Sequence, residues 1–176
     1  MKPEVNYALF NSAGICIWVL VEYLLGFHST RMEIGQYTGY LANVIPITML
    51  FLAIRERREK LNGGTLTFGQ GMKTGIIISL ITAVITTIFM YVYLTAVNPE
   101  FMNLGMELQK QKLLQSGHSE AEVTASLESM KTMYSLPFQL GAILVITPIV
   151  GSVYSAIISA ILRKKPVQPS LETKPN

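Results

Sequence analysis

Between Arg55 and Gly75 an otherwise apolar chain becomes densely charged and then breaks on glycine: RERREKLNGGTLTFGQGMKTG. Long apolar runs lie on both sides of this stretch. A charged, glycine-broken connection between two such runs is a turn between helices that cross a bilayer, because inside hydrocarbon only internally hydrogen-bonded backbone is tolerated. Composition agrees. Half of the 176 residues are hydrophobic and only 14% are charged, against about 25% in soluble domains. Mean hydropathy is positive.

Four spans are expected. The first covers 7–27, about the hydrocarbon thickness at 1.5 Å per residue. It is too long for the apolar core of a signal peptide and is expected to be retained. The second covers 36–54, with Pro46 expected to kink it. Its helix continues through Leu61 into water and stops at Asn62-Gly63-Gly64. Thr67 and Gln70 have capping-box spacing and start the third span, 72–97. Asn98-Pro99-Glu100 reads as the end of that helix and the cap of another. Residues 99–134 read as a helical hairpin too polar to span, broken at Gly117, with a second capping box at Ser119 and Glu122. Its apolar stripe of Val123, Leu127, Met130 and Tyr134 is expected to face Phe101, Leu104 and Leu108. The fourth span covers 138–162. The expected fold is an all-α integral membrane domain over 1–165, with a disordered tail at 166–176.

Orientation follows from lysine and arginine. One side holds Lys2, Arg55, Arg57, Arg58, Lys60, Lys73, Arg163, Lys164, Lys165 and Lys174. The other holds only Arg31, Lys110, Lys112 and Lys131. Both termini are therefore expected in the cytoplasm, with the hairpin outside a bacterial inner membrane.

The ordered set of an arginine-rich helix end, Gly63-Gly64, Thr67-Phe68, Gly71, then Tyr91, Tyr93 and Asn98-Pro99-Glu100-Phe101 resembles the domain-of-unknown-function family 4199, small bacterial four-helix membrane proteins. The resemblance covers most of residues 5–163. It implies the four-helix membrane fold and brings no activity, cofactor or catalytic residue with it.

Within the spans Glu22 is the only acidic side chain. A carboxyl there is costly and marks a functional site by default. Two readings stay open: a structural group that snorkels or hydrogen-bonds Tyr40, Tyr91 or Tyr93 at similar depth, and a proton- or substrate-linked group. Asn43, Ser79, Thr82, Thr86 and Thr147 lie near mid-membrane, either lining a polar path or bonding across helices and back to carbonyls. The cluster Arg55, Arg57, Arg58 and Lys60 is a topology signal at the membrane surface, or a site for anionic lipid. Gly151, Ser155 and Ser159 form a small-residue stripe suited to close helix packing, within the chain or between copies. The single cysteine, Cys16, excludes an internal disulfide. His28 and His118 are too far apart in sequence to form a metal site of their own. No metalloprotease, hydrolase or phosphate-loop motif is present. Aromatic and basic residues are not interleaved as a nucleic-acid groove requires. The expected function is non-enzymatic: a small structural or accessory membrane subunit without cofactor. The partners expected are the lipid bilayer and a second copy or another membrane protein. The alternative is a small proton-coupled transporter using Glu22.

Overall fold

The computed structural model describes residues 2–164, so the tail at 166–176 lies outside the described residues. Seven α-helices follow one another: α1 (Pro3–Leu24), α2 (Met32–Leu41), α3 (Val44–Glu56), α4 (Phe68–Val92), α5 (Phe101–Gln115), α6 (Glu120–Met130) and α7 (Leu136–Leu162). π-helical turns extend α3 over Arg57–Leu61 and α4 over Tyr93–Val97. No strand occurs among the described residues. Four helical stretches are long and apolar enough to cross a membrane: Pro3–Leu24, Met32–Leu61, Phe68–Val97 and Leu136–Leu162.

Helix α7 packs chiefly on α4, and α1 and α3 flank that pair. The α4–α7 contact is made by small residues in antiparallel register. A Cβ built on Gly71 meets the Ser159 side chain, one on Gly75 meets Ser155, and one on Gly151 meets Ser79. The expected stripe of Gly151, Ser155 and Ser159 thus lies inside the chain. Each glycine faces a serine, so the two backbones approach as closely as small-residue interfaces allow. Both capping boxes are formed, Thr67 with Gln70 and Ser119 with Glu122.

The second span departs from the expected kink. It is interrupted, with α2 ending at Leu41 and α3 starting at Val44. Pro46 is the cause. Its ring excludes the carbonyl four residues earlier, that of Ala42, and it has no N–H to offer. The Ala42 carbonyl accepts instead from the Ile45 N–H. Asn43 sits in the break. Its Nδ2 donates to the Tyr40 carbonyl at 3.2 Å, and its Oδ1 accepts from the Tyr154 hydroxyl of α7 at 2.9 Å. Backbone and side-chain bonds together thus close the break.

Helices α5 and α6 pack on each other, and α5 also packs on α2. Helix α6 ends at Met130 rather than at Tyr134, in a turn over 131–134. The Tyr134 ring then lies against Gly105 of α5. One further expectation is corrected. Asn98 does not cap α5 through its side chain; Glu100 holds the N-cap position, with no side-chain bond. The Asn98 amide is committed elsewhere.

Candidate functional site

Helix α1 ends at Leu24, and the chain reverses at once. Gly26 makes this possible, because its φ of 77° lies where side-chain-bearing residues are strained. The Phe27 N–H donates to the Glu22 carbonyl at 2.8 Å, and the Arg31 N–H to the Gly26 carbonyl at 2.7 Å. This tight reversal lays His28 back over Glu22, six positions before it.

Glu22 is 5% exposed. One oxygen of its carboxyl, Oε1, accepts from the Thr38 hydroxyl of α2. The other, Oε2, lies 3.3 Å from His28 Nε2. On the far side of the imidazole, Nδ1 is 2.6 Å from the Tyr93 hydroxyl. Tyr93 is buried, and its oxygen also receives Asn98 Nδ2 at 3.3 Å. The same Asn98 nitrogen donates to the His28 carbonyl at 3.1 Å. With a neutral imidazole every proton has a place: Tyr93 donates to Nδ1, and Nε2–H donates to Glu22. Phe101 closes the cluster, its ring edge-on to His28 at 4.9 Å between centroids. The π-helical turn that ends α4 positions two members, because the Asn98 N–H reaches five residues back to the Tyr93 carbonyl at 2.8 Å.

The sequence expectation for Glu22 is therefore corrected in its partners. Tyr40 is 73% exposed and Tyr91 53% exposed, and neither bonds Glu22. Both rings point off the bundle. Tyr93 belongs to the cluster but reaches Glu22 through His28. Three members went unread in the sequence: His28, Thr38 and Asn98. Only His28 left a signal, a lone imidazole just beyond an intramembrane acid.

Glu22 and His28 line a cavity of about 320 Å³. Helix α2 forms one wall with Gly35, Gln36 and Gly39, and α5 another with Gly105 and Gln109. A second cavity, about 240 Å³, lies at the break between α2 and α3. Asn11, Asn43, Ser79, Thr147 and Tyr154 line it, and Gly39 borders both spaces. The remaining mid-span hydroxyls are spent locally. Ser79 donates to the Gly75 carbonyl, Thr86 to the Thr82 carbonyl, and Thr82 accepts from Asn11 Nδ2. They do not form a continuous path.

The basic cluster is largely matched by acids the orientation count ignores. Arg55 and Arg58 each meet Glu59 at 3.0 Å, Lys60 meets Glu56 at 3.0 Å, and Arg57 meets Glu4 at 2.8 Å. Arg57 also donates to Thr74 of α4, and Arg58 to the Leu162 carbonyl. The cluster ties α1, α3, α4 and α7 together at one end of the bundle. No group of three metal-ligating acidic, histidine or cysteine side chains occurs among the described residues.

Burial holds the His28 imidazole below its usual range, and the Glu22 carboxyl opposes this only in part. The sign follows. A folded-state value below the unfolded one stabilises the fold above the unfolded value, about 6.5. That stability is lost as pH falls through the folded value. The apparent Tm in detergent should therefore decline on acidification from pH about 6.5. His28→Gln should flatten that decline, as a thermal-shift series in matched buffers checks. A Tm that rises over the same window contradicts the neutral imidazole.

No curated protein and no solved structure matches the chain. A family model described as a protein of unknown function, DUF4199, matches residues 6–164. That is nearly the whole of the described helical bundle, and the chain belongs to the DUF4199 family.

Proposed function

We propose that this chain is a small, non-enzymatic, proton-linked carrier of the bacterial inner membrane, with the Glu22–His28 pair as its proton site. One observation carries the reading: a buried carboxyl faces an imidazole 3.3 Å away, and both line a cavity of about 320 Å³. A carboxyl kept only for packing has no need of a cavity. The pair is also tied to an element that can move. Thr38 joins Glu22 to α2, a ten-residue helix separated from α3 by the break at Ala42 and Asn43. Short discontinuous helices beside a binding site are the usual moving parts of carriers. A proton arriving at the pair changes the bond to Thr38, so it interacts differently with two positions of α2. Such differential interaction is what a coupled transition requires.

The orientation proposed from the basic residues puts both termini in the cytoplasm and α5–α6 outside. The cluster at Arg55–Lys60 lies at the same end as Arg163 and Lys164, since the Leu66 N–H donates to the Lys164 carbonyl. The accessory-subunit reading, expected first from the sequence, draws less support. The small-residue stripe that was open to packing within the chain or between copies is used within the chain, across α4 and α7.

The test is Glu22→Gln. Gln keeps the shape and a hydrogen-bond acceptor for Thr38 but cannot release a proton. The variant should be as stable as the wild type to within about 1 kcal/mol. It should fail to complement whatever growth defect deletion of the gene causes. Full complementation by a folded Gln variant overturns the proton-linked reading.

A further inference from the structure

The cavity beside Glu22 carries a charge that no cation around it balances. With a neutral imidazole the pair holds one negative charge, on the Glu22 carboxyl. Among the described residues that carboxyl ion-pairs with no lysine or arginine; its partner is His28. No lysine or arginine lines the cavity either. Lys112 bonds the Gln36 amide without itself lining the space. The Tyr93 hydroxyl, on the far side of the imidazole, is neutral. A buried charge without a counter-charge is costly. Two occupants remove that cost: a proton on the pair, or a cation in the cavity.

The rest of the lining says which kind of cation. Phe27, Phe101 and Tyr134 bring aromatic side chains, and Gln109 and Gln139 bring amides. Aromatic rings attract a cation while covering a carbon body, and amide oxygens stabilise positive charge. A bare metal ion instead needs several oxygen ligands converging at about 2.0–2.6 Å. No group of three acidic, histidine or cysteine side chains occurs among the described residues to supply them. The approach has the same sign. A hollow of about 340 Å³ beside the α1–α2 turn shares Met32 and Leu108 with the Glu22 cavity. Glu33, Glu107 and Arg31 line it, and none of the three is ion-paired among the described residues. Two acids against one base favour an arriving cation and repel an anion.

We propose that the substrate is a small organic ammonium with an apolar or aromatic body, seated against Glu22 and exchanged for the proton of the Glu22–His28 pair. The proposal rests on the carrier reading and names what is carried. Proton and ammonium exclude each other. With either in place the site is neutral, and with neither a buried charge stands alone. That exclusion couples the two movements, because each occupant lowers the affinity for the other by the same factor.

Benzyltrimethylammonium is the probe, since its own charge does not change with pH. It is titrated calorimetrically into the full chain in an uncharged detergent, beside benzenesulfonate, an anion of similar size. The expected result is saturable binding of the ammonium, one per chain, and none of the sulfonate at about tenfold higher concentration. Affinity for the ammonium should fall by about threefold or more on acidification from about pH 7.5 to about pH 5, as the pair takes up its proton. Glu22→Gln should weaken binding by about tenfold or more. Glu107→Gln, in the approach, should keep the affinity within about threefold and keep the same pH dependence. The wild-type titrations decide the matter even where the Glu22 variant does not fold. Equal binding of cation and anion, an affinity unchanged by pH, or full affinity in a folded Glu22→Gln protein overturns the proposal. Binding lost in a Glu22→Gln variant that complements fully leaves the site standing and removes the carrier. No ammonium binding, with complementation still lost, removes the substrate proposed and leaves the proton-linked carrier.

Discussion

Gly75→Leu should not yield a folded protein in detergent, and Gly75→Ala should already lose about 1–3 kcal/mol. The reason is the α4–α7 contact. A Cβ at position 75 falls 1.8 Å from Ser155 Oγ and 2.5 Å from Ser155 Cβ. Rotating the serine hydroxyl away relieves the first clash and not the second. The helices have to separate, and that loosens Gly71 against Ser159 and Gly151 against Ser79 along the same seam. Ser155→Gly in the Gly75→Ala background should recover most of the loss, because it restores one small residue facing another. A control sits on α7. A Cβ at Gly141 meets nothing within 4 Å. Gly141→Ala should be neutral or stabilising, by about 0.4–1 kcal/mol, through the entropy of the unfolded chain. Thermal unfolding of the four proteins settles the ranking. A Gly75→Ala variant as stable as Gly141→Ala contradicts the packing described.

Glu22→Ala should cost about 1–3 kcal/mol, where Glu22→Gln costs little. The count of stranded groups gives the figure. Thr38 loses its bond to Glu22 but keeps the Gly35 carbonyl as a second acceptor at 3.0 Å. The imidazole Nε2–H of His28 loses its acceptor while the ring stays enclosed by Tyr93 and Phe101. The cost is therefore one orphaned buried donor plus a small cavity. His28→Ala in the Glu22→Ala background should add less than His28→Ala does alone, since each change removes the other's partner. Additive losses contradict a coupled pair.

The four long apolar helices were readable because apolar length and charged turns make a simple code. The breaks between helices fell where Gly63-Gly64, Gly117 and the capping boxes put them. The interruption at Ala42 and Asn43 was half readable. Pro46 announces a defect, but whether a proline kinks or breaks a helix depends on what satisfies the freed backbone, and here the Ile45 N–H takes the Ala42 carbonyl while Asn43, held by Tyr154 of α7, takes that of Tyr40. The partners of Glu22 were not readable. Matching residues by depth along straight spans suggested Tyr40 and Tyr91, yet depth says nothing of the direction a side chain faces around its helix. His28 arrives through a reversal at Gly26, and Asn98 through a π-helical turn, and neither leaves a periodic trace.

The proposed proton site requires that water reach the Glu22–His28 cavity, from the side opposite the basic cluster. Gly39 borders that cavity, and a Cβ there meets nothing within 4 Å, so Gly39→Cys is tolerated. In a Cys16→Ala background the introduced thiol is the only one in the chain. A membrane-impermeant maleimide, added outside to right-side-out vesicles, reacts with a thiol in water and not with one in hydrocarbon. His118→Cys, on the exposed loop between α5 and α6, serves as the control. The account predicts that both cysteines are labelled. Labelling of the control with full protection at position 39 would contradict it.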